Sequence, residues 1–286
     1  MNKNIMKRLF LFIGIILLAL SSTFAQKKKL PPLNQLAMIN DSIIAEGHQI
    51  YFSEKIAWIT TDSLFAHKHT ENEIGASLTY FEDSVWVSLF TDKAVENSIF
   101  EIRWDFKQEK DTLIDAVRPL TDNEKAFIVR KNKLIQTGIG TYRDSINGIN
   151  PQYGHFNVDI IKINDKVTRL YLLQGINFEA IPFGNDYSID FDNNDNPICF
   201  RRYHRSFLPF EFPKDKNKEV LTIIHSHLPD NPYITPTDIC NFLLYGRDLF
   251  GQTSFIVLST AFEGHIKFMY MDSQKSIATV TDELFE

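Results

Sequence analysis

Val220-Leu-Thr-Ile-Ile-His225-Ser-His227-Leu-Pro-Asp-Asn-Pro-Tyr-Ile-Thr235-Pro-Thr-Asp238 joins a short apolar run, two histidines one residue apart, a turn-rich loop and a helix start. In a strand, residues two apart point to the same face, so His225 and His227 can aim both imidazoles at one point. Thr235 is a natural N-cap, and Pro236 suits the first helical turn. Asp238 then lies in that turn, and the seven-residue loop can fold it back toward the strand. Two histidines and a carboxylate, with water in the fourth position, form the ligand set of a catalytic zinc. Water on such a zinc is acidified toward neutrality and becomes a nucleophile. The same residues also have a plain structural reading, with Thr235 and Asp238 as capping residues and the histidines as ordinary strand residues.

Around this stretch the chain alternates helices and antiparallel runs without regular βαβ order. After the motif, a helix is expected over 235–250 and strands over 255–259 and 265–271. Before it, β-branched and aromatic runs predict strands at 156–163, 167–173, 187–191 and 198–203. Thr121-Asp-Asn-Glu124 has capping-box spacing ahead of Ala126, Phe127, Val129 and Leu134, and Gly138 can end that helix. Further upstream, 77–81, 85–90 and 99–104 read as an antiparallel meander, and 40–65 as a helix. The class expected is α+β, with a mixed, mainly antiparallel sheet flanked by helices.

The first 25 residues read as a cleavable secretory leader. Lys3, Lys7 and Arg8 precede the apolar run Leu9 to Leu20, and Ser21-Ser-Thr-Phe-Ala25 places small residues before a cut at Gln26. About 12 apolar residues fall short of the roughly 20 that a spanning helix needs, so no stable membrane span is expected after cleavage. The mature chain is then periplasmic or extracellular. Residues 26–35 (QKKKLPPLNQ) read as a tether, with order beginning near Leu36; 36–118 form an N-terminal α+β region and 119–286 a second domain. Three of the 30 basic residues leave with the leader, and the remaining 27 face 36 acidic ones, a formal charge of −9. Such a balance gives no electrostatic support for nucleic-acid or membrane-surface binding. Two cysteines cannot build a disulfide scaffold, although an oxidising compartment permits one bridge, Cys199 to Cys240.

The stretch resembles the core motif of the JAMM (MPN-plus) metalloproteases, whose pattern is His-x-His-Pro, six further residues, then Ser-x-x-Asp. The resemblance extends over roughly 121–272, but only 225–238 is motif-specific. It implies a JAMM-like fold in the C-terminal half, with His225, His227 and Asp238 on zinc and Thr235 where the family has a Ser that steadies the oxyanion. Leu228 replaces the family's Pro, with Pro229 one step later, which leaves the ligand spacing untouched. Family enzymes also carry a Glu before a Leu-rich strand ending in Gly. Here that strand is Leu170-Tyr-Leu-Leu-Gln-Gly175, which puts Thr168, no general base, at the Glu position. Glu179, 46 residues before His225, is the substitute candidate. Gly184-Asn-Asp-Tyr187 and Thr235-Pro-Thr-Asp-Ile-Cys240 also resemble a group of exported Bacteroidetes-type proteins, a likeness that implies no activity.

Two functions remain open at this level. One is an exported zinc hydrolase of the peptidase or isopeptidase kind, acting on a peptide or protein substrate. The other is an inactive module of the cell envelope that binds a protein partner. His155, His204 and His265 read as structural histidines. Trp58, Trp86 and Trp104 read as core. Asp186, Asp190, Asp192 and Asp195 lack the Gly and bidentate Glu of a calcium loop. No nucleophile motif, phosphate loop or dinucleotide fingerprint is present.

Overall fold

The computed structural model describes residues 27–105, 110–147, 153–213, 220–264 and 266–281. The leader expected at 1–25 and His265 lie outside the described residues. No described helix is long and apolar enough to cross a membrane.

Helix α1 (Leu33–Ala66) is the longest element. It starts earlier than the apolar spacing suggests, because its first turns are anchored at few points: Leu36 is buried, while Leu33 and Met38 face solvent. The segment before it is tied down as well, unlike a loose tether. The Lys28 N–H donates to the Ala261 carbonyl at 2.8 Å, and the Glu263 N–H donates to the Lys28 carbonyl at 3.2 Å. Further along, α1 sends Ile56 and Leu64 into a core with Trp86, Phe100 and Ile102, and Ile50 and Tyr51 into the core of the C-terminal half. One helix therefore nucleates burial on two sides.

The expected meander is present as β1 (Ile74–Glu82), β2 (Val85–Asp92), β3 (Asn97–Asp105) and β4 (Lys110–Ile114), antiparallel and in chain order, with the short β5 (Arg118–Pro119) also on β3. Helix α2 (Asp122–Tyr142) begins with the capping box: Thr121 Oγ1 accepts from the Glu124 N–H, and Glu124 Oε2 accepts from the Thr121 N–H at 2.8 Å. It does not stop at Gly138. That glycine sits inside the helix where a Cβ would lie 2.9 Å from both Ile189 and Phe191, so it provides close packing instead of termination. Thr121→Ala is expected to cost about 1 kcal/mol, read as a lower urea midpoint at unchanged slope.

The second half holds three sheets. β6 (Phe156–Asn164), β7 (Val167–Gln174), β9 (Tyr187–Phe191) and β10 (Pro197–Arg202) form an antiparallel sheet in the order β10-β9-β7-β6, and β8 (Ala180–Phe183) pairs with β11 (Leu208–Glu211). The last sheet runs β12 (Ile223–His227), β13 (Ser254–Ser259), β14 (Lys267–Met271), β15 (Ser276–Val280), with only β12 and β13 parallel. This is the α+β class expected, with mainly antiparallel pairing. The helix expected over 235–250 is shorter and irregular. α3 (Pro236–Asn241) passes into a π-helical turn over Phe242–Arg247. Both are nearly enclosed, and Asn241 Nδ2 donates to the Pro182 carbonyl at 2.8 Å, so tertiary packing sets the winding here. Cys240 is buried on α3, Cys199 is half-buried on β10, and both are free thiols, not the permitted bridge.

Candidate metal centre

β12 is held in register by β13, with His225 opposite Val257 and His227 opposite Ser259. The strand alternates as expected: Ile224 and Ser226 face solvent while His227 is buried and His225 nearly so. Thr260 clamps the end of the strand, its hydroxyl donating to the His227 carbonyl at 2.9 Å. The Phe183 ring packs on His225 with centroids 4.5 Å apart.

At the start of α3, Thr235 forms a second capping box. Its N–H and hydroxyl both donate to Asp238 Oδ2 at 2.8 Å, and the Asp238 N–H donates back to Thr235 Oγ1 at 3.1 Å. Asp238 Oδ1 is left buried and without a hydrogen bond. It stands 3.2 Å from His225 Nε2 and 3.2 Å from His204 Nε2. His204, read from sequence as structural, therefore joins the site. It lies between β10 and β11, and its Nε2 is 2.8 Å from His227 Nε2. His225 Nε2 is 3.0 Å from His227 Nε2, and Asp238 Oδ2 is 3.4 Å from the same atom.

These separations define the chemistry. Four ligand atoms, from His204, His225, His227 and Asp238, lie within 4.8 Å of one another in a nearly enclosed group. A tetrahedral zinc with bonds of about 2.0–2.1 Å requires ligand–ligand edges of about 3.3 Å. Four of the six edges, at 2.8 to 3.2 Å, lie just below that value, and the whole set stays within 4.8 Å.

The outer partners fix the direction of the lone pairs. A carbonyl only accepts, so His227 Nδ1–H donates to the Tyr233 carbonyl at 2.6 Å. His204 Nδ1 is 2.8 Å from Asp186 Oδ1, the arrangement of an N–H donating to a carboxylate oxygen. Both neutral rings then point Nε2 lone pairs at each other across 2.8 Å, a repulsive contact unless a cation or proton fills it. Without a metal, burial pushes His227 down to about 4. Against the opposing effect of burial, Asp186 and Asp238 hold His204 well above the usual imidazole range. Burial would raise Asp238, but the imidazoles of His227, His204 and His225 hold it well below the usual carboxylate range. The donor set thus fits a small divalent cation, which His204, His225, His227 and Asp238 can hold.

The other sequence candidates fall elsewhere. Glu179 is exposed just before β8, in a groove with Phe178, Glu211 and Phe212. Glu179 sits in a bend, and it is Phe183, at the far end of β8, that packs on His225. Glu179 is not among the clustered groups and lines a different groove from the cleft that reaches His204 and His227. Thr168 lies on β7 opposite Phe191, where it accepts from Arg130 at 3.1 Å, also outside the cluster. The Thr235 hydroxyl is engaged with Asp238 and Thr237, so it is a capping and ligand-holding group and is not aimed at an oxyanion. Compared with family models, with curated proteins and with solved structures, this chain matches none.

Proposed function

We propose that this chain is a zinc-holding module in which a closed four-ligand centre, rather than an open catalytic one, fixes the C-terminal half for binding a protein partner. The observation that carries this reading is the fourth ligand. His204 occupies the vertex that a hydrolytic zinc leaves to water. Among the described residues, the carboxylates by the centre are engaged: Asp186 by His204 and Thr237, and Asp230, in the cleft that reaches His204 and His227, by Arg205 at 3.1 Å, while Glu179 lines a different groove. The metal would tie the β10–β11 connection to β12 and α3, elements far apart in sequence. If the leader at 1–25 directs export, the partner is a protein of the cell envelope or its surroundings.

A hydrolase reading, in the line of the JAMM resemblance, is favoured by one feature. A cleft lined by Arg202, Arg205, Ser226, Leu228, Asp230 and Asn231 reaches His204 and His227 from solvent. Hydrolysis at this centre requires His204 to yield its place to water.

The two readings separate in one experiment on the purified mature chain. Zinc content is measured after chelator-free purification, and zinc-loaded protein is incubated with a quenched-fluorescent peptide library. About one zinc per chain and no chelator-sensitive cleavage supports the module. Cleavage that disappears on chelation and in His225→Ala overturns it in favour of the hydrolase.

A further inference from the structure

We infer that Asp186 is the positioning residue that closes the metal centre, acting through His204 and itself held by Thr237. The inference rests on the zinc reading above. It concerns a residue that is not itself among the ligands.

The sequence places Asp186 in an unusual backbone segment. Gly184 has φ +92 and Asn185 φ +52, both left-handed. A Cβ at Gly184 would stand 2.0 Å from the Ser206 carbonyl oxygen, so only glycine permits this approach. The consequence is that the loop after β10 lies directly on 184–186, and His204 is delivered to Asp186. The Tyr203 N–H donates to the Asp186 carbonyl at 3.1 Å, and Asn231 Nδ2 donates to the Arg202 and Tyr203 carbonyls at 2.7 and 2.9 Å.

Asp186 is fully buried, and both its oxygens are used. Oδ1 takes His204 Nδ1, which leaves the Nε2 lone pair facing the centre. Oδ2 accepts from the Thr237 hydroxyl. Thr237 Oγ1 in turn lies 2.9 Å from Thr235 Oγ1, which donates to Asp238 Oδ2 and leaves Oδ1 for the cation. Each hydroxyl directs its single proton to a carboxylate. With both protons spent, the 2.9 Å contact between the two hydroxyl oxygens carries no hydrogen bond, so two separate supports stand behind the metal: Thr237–Asp186–His204 for one ligand and Thr235–Asp238 for the other. Outer partners of this kind set ring orientation and tautomer, and their loss typically weakens metal binding about 10- to 100-fold. Removing Asp186 should release His204 and turn a closed centre into a three-ligand centre with an open position.

The test is Co(II) and Zn(II) titration of the full mature chain and of Asp186→Ala, Thr237→Val, Thr237→Ser and His204→Ala. Wild-type protein is expected to give the intense visible absorption of four-coordinate Co(II). Asp186→Ala should bind Zn(II) about 10- to 100-fold more weakly and show the weaker, shifted spectrum of higher coordination seen in His204→Ala. Thr237→Val, nearly isosteric, should move in the same direction by less, and Thr237→Ser should restore the wild-type spectrum. A four-coordinate spectrum retained in both Asp186→Ala and Thr237→Val, while His204→Ala changes, overturns the role of Asp186 and leaves the zinc reading standing. A wild-type chain that takes up neither metal removes both.

Discussion

His227→Ala is expected to weaken zinc binding by at least about 10²-fold, more than any loss in the supporting shell. His227 is the hub of the cluster: its Nε2 lies 2.8 Å from that of His204, 3.0 Å from that of His225 and 3.4 Å from Asp238 Oδ2. Its tautomer is fixed from behind by Tyr233, so its lone pair is already aimed before metal arrives. Asp238→Ala should fall in the same range, because it removes the only anionic ligand and leaves three imidazoles to share the cation. Asp238→Asn separates the two roles of that residue, since it keeps an oxygen for capping but removes the charge. Competition titration against a chromophoric chelator measures all three variants. Unchanged affinity in His227→Ala would place the metal elsewhere.

Chelation is expected to produce the largest change in stability. A ligand present at about 1,000 times its Kd stabilises the folded state by about 4 kcal/mol. For a chain of this size that corresponds to roughly 8–16 °C in Tm, at about 2–4 °C per kcal/mol. Acid should act in the same direction, because the ligands bind metal only when deprotonated. In the metal-free chain the sign follows from His227, whose folded pKa of about 4 lies below its ordinary 6.5. The unfolded chain takes up that proton first. The stabilisation is therefore complete above about pH 6.5 and is lost as pH falls through about 4, a loss of roughly 3 kcal/mol at the acid end. His204 acts oppositely: its raised folded pKa favours the folded state at low pH, and that contribution disappears as pH rises through the raised value. The zinc-loaded protein should accordingly show a steeper decline in Tm below about pH 6 than the apo protein. Thermal scans of both forms between pH 7.5 and 4.5 check this. Parallel curves would mean that the metal does not depend on these histidines.

The parts of this centre that were legible in the sequence are those whose geometry is local. His225 and His227 share a face because strand periodicity is two, and Asp238 is reached because Thr235 and Pro236 announce a helix start after a loop of seven residues. The helix after Thr121 was legible for the same reason, as a capping box followed by apolar spacing. His204 and Asp186 were not legible, because nothing in their immediate neighbours distinguishes a ligand from a structural histidine. They meet the motif only through the approach of 184–186 to the loop after β10, a tertiary event that Gly184 permits and no spacing encodes. The one available signal was Gly184-Asn-Asp-Tyr187 itself, a turn-forming triplet entering a fully buried strand, which is an unusual place for an acid. Packing against Ile189 and Phe191 likewise kept Gly138 inside α2, and burial on all sides turned the C-terminal half of the third helix into a π-helical turn.

Zinc K-edge X-ray absorption on the purified, zinc-loaded protein tests the closed centre most directly. Four nitrogen or oxygen neighbours at about 2.0 Å are expected, with outer-shell scattering from three imidazoles that falls to two in His204→Ala. Five or six neighbours with only two imidazoles in the wild type, unchanged in His204→Ala, would contradict a closed four-ligand centre and return His204 to a purely structural role.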